Sequence, residues 1–316
     1  MTSSHVALGP GGEFDLVRTM LARWGTLASG VGDDAAVLDL PAGDRLVVST
    51  DSSLDGVHFR RSWLTPREIG ARAAAAALSD LAAMAAAPRG MLIALALPEE
   101  WVGDVAAIAD GIGDVARATG TPIVGGDITR AAQFGITCTV LGSTPTPIRR
   151  DGMRPGDFIY VTGVLGGPAA ALRALERGDV VEAPLRERLA RPRPRLLEAT
   201  WLARHGVHAL VDISDGLGAE LRHLATASCV EVRIELARIP VMRGCTLHDA
   251  TRGGEEYELI ACSPHALDPD AFARTFALPL SEIGRARASP EPLVTVVRGE
   301  GDERVDLGEG YDHFSP

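Results

Sequence analysis

The residues with the clearest chemical potential are carboxylates. Asp34 and Asp51 bracket two strand-like stretches, Ala35 to Leu40 and Arg45 to Thr50, which are separated by the turn-forming Pro41-Ala42-Gly43-Asp44. If that turn closes a hairpin, Leu40 lies opposite Arg45 and Asp34 lies opposite Asp51. Directly opposed residues have Cβ atoms about 5 Å apart, so two carboxylates placed this way repel unless a cation such as magnesium lies between them. The alternative is a pair of solvated strand-end acids with the register displaced by one residue. Asp80 is set between Ala77-Leu78 and Leu81-Ala82, where few neighbours keep it in water. Aspartate is rarely buried without a partner or a metal, unless it lies on an exposed helix face.

Two further carboxylate positions stand at the ends of apolar runs. Asp127 follows Pro122-Ile123-Val124 and the pair Gly125-Gly126, where missing side chains let an anion or metal approach the backbone; an ordinary Gly-Gly-Asp turn is the plainer reading. Asp212, Ser214 and Asp215 occupy the end of a strand and the start of a helix. Alternation puts Asp212 and Ser214 on one face, while Ser214 and Asp215 also suit helix capping. The loop Gly163-Val164-Leu165-Gly166-Gly167 before Pro168 could cradle phosphate at a helix N-terminus, though it matches no dinucleotide fingerprint.

Composition narrows the chemistry. The chain has no lysine, so all its basic charge is arginine. A Walker A loop, a protein-kinase strand lysine and a Schiff-base enzyme are thereby excluded, since each needs an ammonium at a fixed place. A net charge of −11 opposes nucleic-acid or anionic-membrane binding and suits metal binding. Cys138, Cys229, Cys245 and Cys262 are far apart in sequence and read as reduced core thiols, and no His/Cys cluster suggests zinc. No apolar run reaches a membrane span, and Met1 to Pro10 has no signal-peptide pattern, so a cytoplasmic protein is expected.

The elements that must position these residues follow from periodicity. At 316 residues, two α/β domains are expected. Helical spacing covers residues 13 to 24, and residues 66 to 87 begin with proline and continue as almost pure helix formers. A strand at 91 to 97, a helix near 102 to 118 and strands near 121 to 124 and 135 to 142 complete a mixed sheet with helices on it. Residues 143 to 156 are rich in proline, glycine and charge, the composition of a linker. The expected domains are therefore 1–146 and 147–316. The second opens with a strand at 157 to 162 and a helix at 168 to 177. Arg191 to Arg195 reads as a helix-entry turn, and a strand at 207 to 214 runs into a helix at 217 to 225.

Taken in order, GDDAAVL (32 to 38), STDSSLDGVHF (49 to 59), LSDLAAM (78 to 84), GGDITR (125 to 130), RPGDFIYVTG (154 to 163), DISDGL (212 to 217), GGEEYEL (253 to 259) and GYDHF (310 to 314) resemble thiamine-monophosphate kinase over nearly the whole chain. The resemblance implies a two-domain α/β fold with mixed α+β sheets of the aminoimidazole ribonucleotide synthetase-like kind, and a homodimer formed through the N-terminal sheet. It further implies that Asp34, Ser49, Thr50, Asp51, Asp80, Asp127, Asp212 and Asp215 hold Mg2+. On the same basis Gly126, Arg150 and Ser214 touch ATP, and His58, Glu255 and Tyr311 contact thiamine monophosphate. Outside the motifs, His58 reads as a core or surface histidine and Tyr311 as a tail aromatic. Arg72, Ala77, Ile128 and Glu256 depart from the family's usual lysine, asparagine, threonine and aspartate, and Gly167-Pro168 alters a loop that usually reads Gly-Asp-Ser.

The implied activity is direct transfer of the γ-phosphoryl of ATP to thiamine monophosphate, giving thiamine diphosphate. The phosphate acceptor is already ionised at neutral pH, which fits the lack of any recognisable nucleophile and base set. Another ATP-dependent synthetase of the same group and a magnesium-dependent phosphohydrolase are the alternatives. Selenophosphate synthetase is disfavoured, because it needs a reactive N-terminal cysteine or selenocysteine with a lysine.

Overall fold

The computed structural model describes residues 11–32 and 34–297, together with Leu307, Gly310 and Tyr311. In chain order the elements are α1 (Gly12–Trp24), β1 (Arg45–Leu54), α2 (Pro66–Ala83), β2 (Ala87–Leu97), α3 (Val105–Thr119), β3 (Ile123–Arg130) and β4 (Gly135–Thr144). They continue as β5 (Phe158–Thr162), α4 (Gly167–Arg177), α5 (Ala183–Ala190), α6 (Leu196–Arg204), β6 (Ala209–Asp212), α7 (Leu217–Ser228) and β7 (Glu231–Glu235). The last are α8 (Leu247–Arg252), β8 (Leu259–Ser263), α9 (Pro269–Phe276), β9 (Leu280–Arg287) and β10 (Leu293–Val297). Two compact units result, residues 1–81 with 86–146 and residues 82–85 with 147–316.

The N-terminal unit carries a four-stranded sheet in the order β1-β4-β2-β3. β4 runs antiparallel to both β1 and β2, while β2 and β3 are parallel. A parallel pair needs a crossover, which α3 supplies. Period-two burial defines the sheet's inner face: Met91, Ile93, Leu95 and Leu97 on β2, and Ile136, Cys138 and Val140 on β4, are all buried. Alanines explain α2, whose residues Ala73 to Leu78 are buried without bulk. Glycine lets α2 and α3 touch: a Cβ on Gly111 would stand 1.9 Å from the Arg67 carbonyl oxygen.

The hairpin expected around Pro41-Gly43 does not form. Residues 35–40 are irregular and largely exposed, and β1 pairs instead with β4, placing Asp51 opposite Cys138. Local alternation made residues 35–40 look strand-like. The partner that β1 takes lies some ninety residues away, and a ladder of ten pairs with β4 outweighs a short local one.

The C-terminal unit has a six-stranded sheet in the order β10-β7-β9-β5-β8-β6, covered on both faces. One face buries Ile159, Val161, Val211, Ile260 and Ile283 against Leu217, Leu221 and Leu224 of α7. The other buries Tyr160, Leu210, Leu259 and Ala261 against Ala199 and Leu202 of α6 and Phe272 of α9. Arg191 to Arg195 forms the irregular entry to α6.

All four cysteines are free, but only Cys138 and Cys262 are buried; Cys229 is exposed and Cys245 half-buried, so the core reading holds for two of the four. Burial, with the nearby Asp51 charge, pushes the Cys138 thiol up to about 12. Among the described residues no helix is long and apolar enough to cross a membrane.

Candidate functional site

In the N-terminal unit Asp51 and Asp80 are carried by one strand face and by one helix bonded to it. Along β1, Ser49 and Asp51 are half-buried and Thr50 is exposed. Ser49 donates a hydrogen bond of 2.5 Å to Asp80 on α2. Thus Ser49, Asp51 and Asp80 share the half-buried side of the sheet. Asp80 is neither deeply buried nor on a fully exposed helix face, and its serine partner comes from another element.

Two expected ligands do not join this group through their side chains. Thr50 is one residue out of phase with its neighbours, and its hydroxyl lies 3.0 Å from that of Thr139 on the opposite face. Asp127 is exposed and stands in register with Ala94, between the buried Ile93 and Leu95, so it too belongs to the outer face. There it accepts from the Thr129 hydroxyl at 3.1 Å. The strand that ends at Val124 by pattern in fact continues through the glycines. A Cβ on Gly126 would stand 1.9 Å from the Ile93 carbonyl oxygen, so a bare backbone is required there. Asp34 is exposed in the irregular segment before β1.

His58 closes a tight turn after β1. Its Nδ1 accepts the Leu54 N–H at 3.1 Å, so the neutral ring carries its proton on Nε2. The turn is anchored by Phe59, which packs edge-on against Trp101 and Phe134, and by the Gln133 side chain on the Asp55 carbonyl at 2.7 Å.

In the C-terminal unit the turn between β6 and α7 is the organising feature. Asp212 is buried at the end of β6, opposite Leu259 of β8. The N-cap position is taken by Gly216, with φ of 111°, rather than by Ser214 or Asp215 as their types suggested. A Cβ at Gly216 would meet the Arg252 carbonyl oxygen at 2.8 Å, which explains the glycine.

Two segments converge on this turn through their backbones. Glu255 donates its N–H to the Ser214 carbonyl at 2.6 Å, Tyr257 to Ile213 at 3.0 Å, and Tyr311 to Asp215 at 3.2 Å. Glu255 and Tyr257 both have left-handed backbones, at φ 64° and 52°, a costly pair for residues with side chains. Buried Glu256 between them explains how the kink persists: it takes the Arg188 guanidinium at 3.0 Å and the Gly166 N–H. Gly310 lies so close to Ala219 that a Cβ would stand 2.5 Å from the alanine methyl. The tail thus rests on the start of α7 with the Tyr311 ring half-exposed, while Asp312, His313 and Phe314 lie outside the described residues.

The Gly163-Gly167 loop is not a phosphate cradle. Its Gly166 N–H is taken by the Glu256 carboxylate, so an internal anion fills the helix start. Glu258, also fully buried, receives Arg188 at 2.8 Å and Arg195. Burial pushes Glu256 up to about 7, against the opposing pull of Arg188 and the Gly166 N–H.

Sequence reasoning missed Glu220. It is 1% exposed on α7, and its carboxylate receives the Ser214 hydroxyl at 3.3 Å and faces His223 Nδ1 at 3.2 Å and the Arg150 guanidinium at 4.0 Å. The hydrogen bond to Glu220 raises the His223 pKa, against its partial burial. A charged residue inside the apolar repeat Leu217-Leu221-Leu224 was the available signal.

Among the described residues no three His, Cys, Asp or Glu side chains converge closely enough to hold a metal ion by themselves. The donor set nevertheless fits magnesium in kind. It consists of hard carboxylate and hydroxyl oxygens with no sulfur or imidazole, and magnesium completes its shell with waters and substrate phosphates.

Comparison with known proteins gives these arrangements a family. Residues 32–144 match the AIR synthase related protein, N-terminal domain, and residues 154–297 match the AIR synthase related protein, C-terminal domain. Thiamine-monophosphate kinase of Escherichia coli K12 is 34% identical, over 96% of this chain and 98% of its own. Thiamine-monophosphate kinase from Stenotrophomonas maltophilia K279a superposes with a TM-score of 0.80 at 36% identity, covering 90% of this chain and 96% of that one. AaThiL complexed with AMPPCP and TMP gives 0.75 at 30% identity, over 98% and 99% of the two chains. With matches of this length and identity, the chain belongs to the thiamine-monophosphate kinase family.

Proposed function

We propose that this protein phosphorylates thiamine monophosphate with ATP, giving thiamine diphosphate by direct transfer. The observation that carries the reading is the turn at Ser214-Asp215, on which Glu255 and Tyr311 are both hung by backbone hydrogen bonds. Residues expected to contact nucleotide, metal and thiamine are thereby hung on one short turn. On this reading Gly126, Arg150 and Ser214 contact ATP, while His58, Glu255 and Tyr311 contact thiamine monophosphate. Arginine must provide the protein's cationic contacts to phosphate, since lysine is absent.

Asp34, Ser49, Thr50, Asp51, Asp80, Asp127, Asp212 and Asp215 are the proposed magnesium ligands, with Ser49, Asp51 and Asp80 the best supported by their shared face. Bound magnesium would neutralise charge on the phosphate oxygens. The acceptor needs no general base, because a phosphate monoester has its second pKa at about 6. Direct transfer leaves no phosphorylated enzyme. ATP consumption that depends on thiamine monophosphate, with thiamine diphosphate as product, tests the assignment. Consumption without thiamine monophosphate would assign a phosphohydrolase instead. The open face and edge of the N-terminal sheet support a homodimer, and a cytoplasmic location suits a biosynthetic kinase of this kind.

A further inference from the structure

We infer that Glu220 is a positioning residue that holds Arg150 and Ser214 in place for the nucleotide, and that Ser214 meets the nucleotide as a hydrogen-bond acceptor. This rests on the proposed nucleotide contacts of those two residues and adds how they are presented. Arg150 lies on a short 3-10 turn, Arg150–Gly152, and its side chain is 51% exposed. Such a side chain loses substantial rotamer freedom when it engages a ligand. Glu220 is almost fully buried and lies 4.0 Å from that guanidinium, so it tethers the head without hiding it.

The same helix fixes the turn beneath. Ser228, also on α7, donates its hydroxyl to the Arg150 carbonyl at 2.9 Å and accepts the Met153 N–H at 3.2 Å. Close approach at Gly152, where a Cβ would stand 1.9 Å from the His208 carbonyl oxygen, leaves the turn no room to shift. A single helix therefore sets both the backbone and the side chain of Arg150.

Ser214 follows from counting protons. A serine hydroxyl has one hydrogen to donate, and here it goes to Glu220 at 3.3 Å. What remains for a ligand is lone pairs. Such a group cannot donate to a phosphate oxygen; it suits a ribose hydroxyl, a base amino group or a metal-bound water. Arg150 is then left as the phosphate-facing member of the pair. His223, whose Nδ1 lies 3.2 Å from the same Oε2 that faces Arg150, keeps Glu220 partnered when Arg150 turns toward a ligand.

The experiment is a double-mutant cycle read by calorimetric binding of the magnesium complex of AMPPCP. Glu220→Gln, which keeps the shape and removes the charge, should weaken nucleotide binding roughly tenfold, as expected when a charge-assisted contact is lost. Its KM for thiamine monophosphate should stay within about twofold. In an Arg150→Ala background the same change should add no more than about twofold, because its main route of action is gone. Full additivity, or nucleotide binding by a folded Glu220→Gln protein that matches wild type, would overturn the inference. If the glutamine variant does not fold, Glu220→Asp carries the same cycle. Wild-type protein that binds AMPPCP yet does not phosphorylate thiamine monophosphate would refute the proposed substrate while leaving this inference intact.

Discussion

At the scale of single residues, Tyr311 gives the most direct test of the thiamine assignment. Its backbone is tied to Asp215, and the residue is 54% exposed. An exposed aromatic face next to the Ser214-Asp215 turn suits a cationic thiazolium. Tyr311→Ala should therefore raise the KM for thiamine monophosphate about tenfold and leave the KM for ATP nearly unchanged. Steady-state kinetics with each substrate varied in turn decide this, and equal movement of both constants would make Tyr311 structural. Asp51 makes a second test. It sits beside the inert thiol of Cys138 on the face that carries Ser49 and Asp80, and its role does not depend on Asp34. Asp51→Asn should lower turnover roughly a hundredfold at fixed magnesium, with partial recovery as magnesium is raised. Unchanged magnesium dependence in a folded variant would remove Asp51 from the metal set.

Elements show what local sequence can and cannot convey. Helices α2, α3, α4 and α7 were legible because their apolar spacing, proline starts and glycine stops are written in neighbouring residues. The partner of β1 was not, because pairing with β4 is settled by the buried face of a sheet assembled from distant strands. Gly163-Gly167 failed similarly: its sequence fits an anion, but the anion is Glu256, ninety residues on. That carboxylate also gives a pH test. In the buried cluster two guanidiniums, Arg188 and Arg195, serve Glu256 and Glu258, while Glu198 also draws on Arg195. Burial pushes Glu256 from 4.5 to about 7 against the pull of Arg188 and the Gly166 N–H, and the neighbouring Glu258 charge adds to the rise. A carboxyl group raised on folding binds its proton more tightly in the native state. Its stabilisation is therefore full below pH 4.5 and is lost as pH rises toward 7. Glu256→Gln mimics the protonated group, so its melting temperature relative to wild type should rise between about pH 5 and pH 8. A relative melting temperature that is flat or falling over this range would mean that Glu256 is ionised and well compensated.

For the whole molecule, the question is what closes the N-terminal sheet. Its inner face is packed, but the outer face carries Leu46 and Val48, 52% and 54% exposed, beside ladders of small hydroxyls at Thr50-Thr139 and Ser52-Thr137. β1 runs ten residues along the sheet edge, and a long edge strand with an apolar face invites further pairing unless something covers it. A second copy is the simplest cover, because a two-fold axis matches each face and edge to itself. The segment before β1, with Val37 at 92% exposure, lies next to that edge in sequence and offers more apolar area to the same contact. Sedimentation at micromolar concentration should therefore give a dimer. Val48→Glu would bury a carboxylate from each copy in such a contact and should yield a folded monomer, since an uncompensated charge taken out of water is strongly disfavoured. Circular dichroism would verify the fold, and sedimentation the mass. Wild-type protein that is monomeric and fully active, or a Val48→Glu variant that still dimerises as wild type does, would place the sheet face in solvent and require another reason for its apolar residues.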